Sequence, residues 1–266
     1  MLGFFFRHYD PWVDRYIVFD DGSTDSSPEI LRRHPKVELR PFPRVSPESF
    51  PLSQLHFINE AWKESRGAAD WVIVVDIDEH LQARAGQNRS YLRDCASQGV
   101  TWIPAVGYQM LSEDFPREDE LLARTLTIGA PSVFQSKLSL FDPNAIVETH
   151  FTMGRHEAKP VGELRLPARD ELMLLHYKYL GFERCFDRLQ TLGARRSALD
   201  IQNGWSNHRA WDRAELEDVL KSMRARSVDV YRGSESTAAA TGRWWRPEGR
   251  AKPSWLDWTR RKLSGG

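Results

Sequence analysis

The sequence has little cysteine, no surplus of either charge and no long apolar run. Its 266 residues include two cysteines, Cys95 and Cys185, which lie far apart and lack the spacing of a metal site. We therefore expect two buried free thiols in a reducing compartment. Lysine plus arginine and aspartate plus glutamate both number 37, which argues against nucleic-acid binding driven by overall charge, and we expect no nucleic-acid partner.

Membrane-spanning and secretion signals are also missing. No apolar stretch is long enough to cross a bilayer. Leu2 to Phe6 is apolar, but Arg7 and His8 follow at once without a cleavage site, which argues against a signal peptide. There is no internal repeat, and the start of the chain has no glycine-rich basic phosphate loop, which disfavours a nucleotidyltransferase.

Two acidic clusters each follow a short apolar run. Tyr-Ile-Val-Phe at 16–19 precedes Asp-Asp-Gly-Ser-Thr-Asp at 20–25, and Trp-Val-Ile-Val-Val at 71–75 precedes Asp-Ile-Asp-Glu at 76–79. Both runs are typical of buried strands, and strands that are apolar on both faces favour a parallel sheet covered by helices. Carboxylates at the carboxyl ends of such strands lie where open α/β sheets bind ligands. The clusters together predict a nucleotide site with a divalent metal.

Capping signals and hydrophobic periodicity divide the chain into alternating elements. Ser26 and Glu29 have capping-box spacing, and Pro28 suits the first turn of the helix that they predict. The predicted helices span 1–13 in part, 26–34, 52–65, 182–198 and 213–226, and the predicted strands span 15–19, 37–40, 71–75, 101–110, 137–141 and 172–175. The alternation over residues 1–80 is the pattern of a three-layer α/β domain.

Asp76 and Asp78 are alternate residues at the end of a predicted strand, so we expect both side chains to face one site. Two converging carboxylates repel unless a cation lies between them. Mg²⁺ or Mn²⁺ meets that need and bridges to phosphate oxygens, where it would stabilise the charge on a departing diphosphate. The alternative is a solvated acidic turn after a strand.

The first acidic cluster combines a flexible position with polar side chains. Gly22 permits a tight turn, and Ser23 offers a hydroxyl group. Asp20 or Asp21 would accept hydrogen bonds from a ribose or a base edge. The alternative is a purely structural role, in which Asp25 and its neighbour cap the next helix.

These motifs carry a family resemblance. The stretch at 16–25, followed by that at 71–79, resembles a family 2 glycosyltransferase with the GT-A fold. Three further stretches, at 5–14, 154–162 and 174–180, are similar to one bacterial branch of that family. The two acidic motifs are the more specific part of this resemblance.

The resemblance covers about residues 4–205 and implies a domain organisation. A GT-A-like domain with three α/β/α layers and a mostly parallel central sheet would occupy 1–205, with a helical extension at 206–231. Residues 232–266 would form a linker and a basic, tryptophan-rich tail. Family members begin with a further strand that often ends in Asn-Glu. We therefore expect either a truncated or misassigned start, or a domain that lacks this strand.

The resemblance also implies roles for individual residues. The donor would be a nucleotide-sugar, usually a UDP-sugar, and the transfer would be metal-dependent and inverting. Asp20 and Asp21, with Ser23, would contact the base and ribose of the donor. Asp76 would lie near the ribose and the metal, and Asp78 would be the main ligand of Mn²⁺ or Mg²⁺.

The resemblance leaves alternatives for the catalytic base. Family members often carry it on an acidic pair, which Glu113 and Asp114 offer, and Glu157 is the rival. A late histidine often completes the metal shell, which points to His156, and more weakly to His176. For each histidine the alternative is a polar side chain satisfied by a neighbour.

The basic residues outside these motifs are expected to be solvated. Arg155 and Lys159 would reach a diphosphate only if they turned inward. The same solvated interpretation applies to the arginines of the predicted helix after 182, namely Arg184, Arg188, Arg195 and Arg196.

The tail from residue 243 onward carries seven basic residues, two acidic ones and four tryptophans, namely Trp244, Trp245, Trp255 and Trp258. Basic residues interleaved with tryptophan suit an interface with anionic lipids, which would give a cytoplasmic protein peripheral contact with the inner face of a membrane. The alternative is that the tryptophans pack the tail onto the domain.

The sequence thus predicts a glycosyltransferase acting on a glycan or lipid-linked acceptor in cell-envelope or secreted polysaccharide synthesis. A non-catalytic nucleotide- or glycan-binding domain shares the same acidic motifs and remains the alternative.

Overall fold

A computed structural model describes residues 1–232 and 243–246. The protein is a mixed α/β structure with a curled mixed sheet. The elements before residue 100 are α1 (Leu2–Tyr9), β1 (Tyr16–Asp20), α2 (Ser27–Arg33), β2 (Val37–Pro41), α3 (Phe50–Glu60), β3 (Val72–Ile73), β4 (Glu79–Ala83) and α4 (Asn88–Ser97). The later ones are β5 (Trp102–Ser112), α5 (Leu122–Thr125), β6 (Ile128–Pro131), β7 (Lys137–Phe141), β8 (Ile146–Glu148), β9 (Val161–Gly162), β10 (Leu172–Leu180), α6 (Phe182–Ala194), α7 (Ala198–Gln202), α8 (Arg213–Ala225) and β11 (Val228–Asp229). Short 3₁₀ helices lie at Ala61–Ser65, Val133–Gln135, Met153–Arg155, Asn207–Ala210 and Val230–Arg232.

The main sheet has seven strands and curls around β5. Its order is β11-β6-β5-β10-β4, and β7 pairs with the first part of β5 and with β3. Only β5 and β10 run parallel, while the other pairs are antiparallel. The expectation of a mostly parallel central sheet is therefore not confirmed, because five of its six strand pairs are antiparallel.

The two apolar runs before the acidic clusters lie in poorly covered strands. β1 pairs in parallel with β2 in a separate two-stranded sheet, and β3 pairs only with β7 within the described residues. Tyr16 alone is buried in the first run, and the second run is half-buried throughout. The prediction of two buried strands is wrong in this respect, because a strand paired along one edge keeps its other edge open.

Alternate residues of the central strands enter two different hydrophobic clusters. In β10, Met173 and Leu175 belong to the cluster around Trp62 and Phe141, whereas Leu174 joins the cluster that includes α1. Both faces of this strand are therefore covered, as the period of two in a strand requires. A third cluster packs α6 and α8 against the sheet near β6.

The helix starts differ from the predicted ones. Ser26 is the N-cap residue of α2, but its side chain caps no backbone N–H, so the predicted capping box does not form. The Asp25 carboxylate instead accepts the Ser27 N–H at 2.9 Å. The predicted helix over 182–198 ends at Ala194, and α8 confirms the helix predicted at 213–226.

Other sequence predictions have clear outcomes. Cys95 and Cys185 are buried and free, as expected. Trp245 is buried, and Trp244 and Trp245 donate to Ser136 O and Asp170 Oδ1, which supports packing for this part of the tail. The linker at 233–242 and the remainder of the tail, with Trp255 and Trp258, lie outside the described residues. Within the described ranges, no helix has the length and apolar character needed to cross a membrane.

Candidate functional site

The second acidic cluster forms the turn between β3 and β4. Asp76 precedes the turn with about half of its side chain exposed, whereas the side chain of Asp78 is 11% exposed. Residues 74–78 are not in a strand, so strand alternation does not set the direction of the two carboxylates. Asp76 Oδ2 lies 3.9 Å from Arg155 Nη2, and Asp78 points to other cations. The two acids therefore have separate protein partners.

The side chain of Glu79 holds this turn in place. Its carboxylate is fully buried, contacts Lys137 Nζ at 2.7 Å, pairs with Arg155 and accepts the Asp76 N–H at 3.1 Å. Burial by itself would raise the pKa of Glu79, but the charges of Arg155 and Lys137 hold that pKa well below its usual range. Glu79 is therefore an ionised structural carboxylate.

Arg155 is buried and joins three parts of the structure. It donates to Val74 O at 2.6 Å and to Ser139 Oγ at 2.9 Å besides pairing with Glu79. Its φ of 57° is in the left-handed region, a strain that these contacts offset. The expectation of a solvated charge is wrong here, because Arg155 binds buried acceptors across the sheet.

Opposing effects act on the pKa of Asp76. Enclosure by neighbouring protein atoms and the Glu79 carboxylate raise the pKa of Asp76, and the Arg155 charge acts in the other direction. About half of the Asp76 side chain is exposed to solvent. Asp76 is the carboxylate of the turn that a ligand from solvent reaches most directly.

Basic side chains surround Asp78. His176 Nε2 and Arg188 Nη2 each lie 3.6 Å from its carboxylate oxygens. Burial acts to raise the pKa of Asp78, but His176, Arg188 and Lys178 together hold it well below the usual range. In turn, burial lowers the pKa of Lys178 to about 8, although Asp78 acts against that shift. Asp78 therefore stays ionised inside a basic environment.

Further basic side chains border the same region. Burial, followed by the charges of Lys178 and Arg209, holds the pKa of His208 well below its usual range. His156 and His176 contribute in the same direction, which places all three histidines within one electrostatic neighbourhood. This cluster suits a ligand with more than one negative charge.

The first acidic cluster folds into a tight turn after β1. The Asp20 carboxylate accepts the Ser23 N–H at 3.1 Å and 3.3 Å, and Gly22 has a φ of 74°. Asp21 pairs with Arg44, whose Nε lies 2.6 Å from Oδ1 and whose guanidinium covers the Phe50 ring. Ser23 is exposed. The loop is thus pre-formed, with Arg44 as a basic partner that the sequence analysis missed.

Charges connect the two acidic clusters. The hydrogen bond with Asp21 raises the pKa of Arg44, although desolvation acts in the other direction. The negative charges of Asp21 and Asp200 raise this pKa further. Buried Asp200 also accepts a hydrogen bond from Ser49 Oγ at 2.6 Å. Burial and the charge of Arg188 lower the pKa of Arg209, and the charge of Asp200 acts in the opposite direction. Arg188 in turn lies 3.6 Å from Asp78.

The two candidate bases, Asp114 and Glu157, are both exposed. β5 ends at Ser112, so Asp114 lies in the loop that follows this strand. Glu157 lies in a loop in which its backbone bonds Thr152. In the described chain neither carboxylate bonds Asp76 or Asp78, so the assignment of the base remains a prediction.

His156 occupies the loop beside Arg155. Its Nδ1 lies 2.9 Å from Phe134 O, and its ring packs edge-on against the Phe134 ring. A Cβ at Gly154 would come within 2.7 Å of the imidazole, so glycine at 154 makes room for the ring. His156 as a metal ligand stays a prediction.

A hard divalent cation at the acidic turn would need to be completed by its substrate. Among the described residues, no three histidine, cysteine, aspartate or glutamate side chains form a ready metal cage. Mg²⁺ is commonly held by one or two carboxylates together with substrate phosphates and water. Asp76 and Asp78 belong to one turn but have different protein partners, so a metal held by both carboxylates stays a prediction.

The residues missed from the sequence are those paired over long distances. Glu79 lies 58 residues from Lys137 and 76 residues from Arg155. A lysine opening the otherwise apolar run of β7 was one available signal, because a buried cation requires a partner. Arg188 gave no local signal that distinguishes it from the other arginines of α6.

No protein-family model matches this chain, and a comparison with curated proteins gives no significant match.

Proposed function

We propose that this protein is a GT-A-type glycosyltransferase of family 2, with three α/β/α layers, that uses a nucleotide-sugar, most simply a UDP-sugar. The observation that carries the proposal is the acidic turn at 76–79, where Asp78 lies among His176, Lys178 and Arg188. This arrangement offers carboxylates for a metal and cations for a diphosphate in one place. The resemblance of both acidic motifs supports the same interpretation.

The proposed transfer is inverting, and negative charge develops on the departing diphosphate beside the acidic turn. A base removes the proton of an acceptor hydroxyl, whose oxygen forms a bond to the anomeric carbon while the bond to the diphosphate oxygen breaks. Mn²⁺ or Mg²⁺ held by Asp76 and Asp78 would supply Lewis-acid stabilisation of the departing diphosphate. Lys178 and Arg188 add positive charge against the same leaving group.

The first acidic loop would hold the nucleoside. Asp20 is fixed by its turn, and Asp21 is held by Arg44. A ribose that hydrogen-bonds Asp21 would meet a carboxylate already oriented by this guanidinium. Arg44 would remain close enough to interact with the bound nucleotide.

A second candidate is a non-catalytic domain that binds a nucleotide or glycan. It is favoured by one observation: neither Asp114 nor Glu157 contacts the acidic turn in the described chain. This alternative predicts nucleotide binding without turnover.

The test begins with calorimetric titration of UDP, GDP and dTDP, with and without Mn²⁺. We expect one nucleotide to bind in a metal-dependent way, and Asp78→Ala and Asp78→Asn to weaken that binding at least tenfold. Asp94→Ala, an exposed acid on α4, serves as the matched control and should bind like the wild type. Thermal melts establish that each variant is folded.

Turnover then separates the two candidates. Release of the nucleoside diphosphate from a panel of nucleotide-sugars, with glycan and lipid-linked acceptors, is expected for the transferase. Metal-dependent binding without release on any acceptor would support the binding domain. If no nucleotide binds to the folded wild type, the donor site itself is disproved.

A further inference from the structure

A second basic region lies at the other end of β4, away from the acidic turn. β4 begins at Glu79 and ends at Ala83, which is a rise of roughly 13 Å. Beyond this end is an open cleft of about 710 Å³ between α1, the start of α4 and the segment at 121–127. The proposed donor site shares none of the lining residues of this cleft.

Of the residues that the structure describes, five arginines and no aspartate or glutamate line this cleft: Arg7, Arg84, Arg89, Arg93 and Arg124. Five guanidinium groups around one space repel one another unless anions offset them. The lining is therefore strongly positive in a chain whose overall formal charge is zero.

Protein contacts leave most of this charge uncompensated. Arg7 and Arg84 donate to the backbone carbonyls Glu120 O and Val230 O, which orients them without neutralising them. Arg89 pairs with Asp14 at 3.3 Å, but the Asp14 side chain is 94% exposed, so this pair is weak. These contacts hold guanidinium groups in place at the cleft.

Two of the five arginines lack any such contact. Arg93 and Arg124 are exposed, and neither guanidinium group forms a hydrogen bond or ion pair within the described residues. Guanidinium groups favour phosphate because their planar N–H fork matches two phosphate oxygens. An incoming phosphate would gain both without breaking an existing pair.

The start of α4 adds backbone donors to the same space. Residues 87–90 line the cleft, and no side chain caps the first turn of this ten-residue helix. Asn88 turns away from the helix, because its Oδ1 accepts the Ala83 N–H at 2.7 Å. The N–H groups of the first turn and the positive end of the helix dipole therefore remain available to an anion.

We propose that this cleft is a binding site for a phosphate-bearing ligand, distinct from the proposed donor site. Arg93 and Arg124 would close on the phosphate, while the other guanidinium groups and the start of α4 form the floor. The buried Trp12 and half-buried Tyr231 supply an apolar wall beside the charges. The phosphate belongs either to a soluble diphosphate or to a lipid headgroup.

The test measures both sources with the full chain. Inorganic diphosphate is titrated at low salt in EDTA, and co-flotation is measured with phosphatidylcholine vesicles with and without phosphatidylglycerol. The test variant is Arg93→Ala/Arg124→Ala. The matched control is Arg32→Ala/Lys221→Ala, which removes two exposed cations from α2 and α8.

We expect the test variant to lose at least tenfold in affinity for one of the probes, and the control to change less than twofold. Loss for diphosphate alone identifies a soluble ligand, and loss for anionic vesicles alone identifies a headgroup. Binding that the test variant retains but Arg188→Ala loses would assign the diphosphate to the acidic turn and overturn the proposal. Absence of binding to either probe by the folded wild type would also overturn it. Neither readout depends on glycosyl transfer.

Discussion

Glu79 is the residue on which the acidic turn depends. Its carboxylate is fully buried, yet it is ionised because Lys137 and Arg155 both contact it. The same carboxylate fixes the Asp76 N–H, so a structural ion pair sets the position of an exposed functional candidate. Burying three charges is costly, and their mutual attraction repays this cost only while all three are present.

Glu79→Gln is therefore expected to lower the free energy of unfolding by about 3–5 kcal/mol, because it leaves two buried cations without a full counter-charge. Urea denaturation measures this change. The matched control is Glu183→Gln, which removes an exposed pair with Arg213 and should leave unfolding nearly unchanged. An equal effect of both variants would contradict a structural role for Glu79.

His8 and His80 form a buried stack with ring centroids 4.6 Å apart. His8 Nε2 contacts Leu81 O at 2.8 Å, but neither ring nitrogen of His80 has a hydrogen-bond partner. Burial lowers the pKa of His8 to about 4, and burial together with His8 lowers the pKa of His80 well below its usual range. Both imidazoles are therefore neutral in the folded protein near neutral pH.

The unfolded chain takes up protons on these histidines below pH 6.5, whereas the folded protein does not. The free energy of unfolding should consequently be highest above pH 6.5 and fall as the pH drops towards 4, by up to about 3 kcal/mol for His8. Denaturation at a series of pH values measures the slope. His80→Phe should flatten it and His56→Ala, at an exposed position, should not.

At the scale of single elements, helix starts show how side chains select boundaries. Asp212 accepts the Glu215 N–H at 2.8 Å, and Glu215 Oε2 accepts the Asp212 N–H at 3.0 Å, which completes a capping box at α8. Ser26 has the same sequence spacing to Glu29 but caps nothing. The difference arises because Ser26 has helical φ and ψ, whereas Asp212 is extended and can turn its side chain back.

Asp212→Ala is expected to cost about 1 kcal/mol in the free energy of unfolding, because α8 loses an N-terminal cap. Ser26→Ala should cost much less, since no hydrogen bond is lost. Thermal or urea denaturation of the two variants provides the comparison. If Ser26→Ala proved as costly as Asp212→Ala, the capping difference between the two helices would be refuted.

At the scale of the whole molecule, the sheet determines how much of each apolar run is covered. The run at 172–175 is fully buried because β10 lies between β4 and β5. The run at 71–75 has similar composition but remains half-buried because β3 pairs with β7 alone in the described structure. Composition predicts that a strand forms, and the pairing partners decide its burial.

Asp170 connects the described part of the tail to the domain. Its buried carboxylate accepts from Trp245 Nε1 at 2.8 Å and pairs with Arg246 at 2.7 Å and Arg243 at 3.2 Å. We expect Asp170→Ala to release this segment, since three donors lose one shared acceptor. Trypsin should then cleave after Arg243 at least several-fold faster than in the wild type or in Asp94→Ala, as followed by mass spectrometry. Unchanged cleavage would show that the tryptophans alone anchor the segment.

The sequence alone determined the local elements of this protein. Strands at 15–19, 37–40 and 137–141, the helix after 212 and two buried thiols follow from hydrophobic period, capping residues and composition, which act over a few neighbouring positions. It also located the first acidic cluster at the end of a strand, whereas the second begins three residues after β3 ends. These signals are local, so a single chain displays them without knowledge of its partners.

Only the tertiary structure decided which groups meet. It paired β5 with three strands, buried Arg155 against Glu79, surrounded Asp78 with cations and assembled five arginines in one cleft. Each of these outcomes joins residues far apart in the chain, and charge or burial takes effect only when such residues come within a few ångströms. The sequence contains those residues, but their chemistry arises from the distances that folding creates.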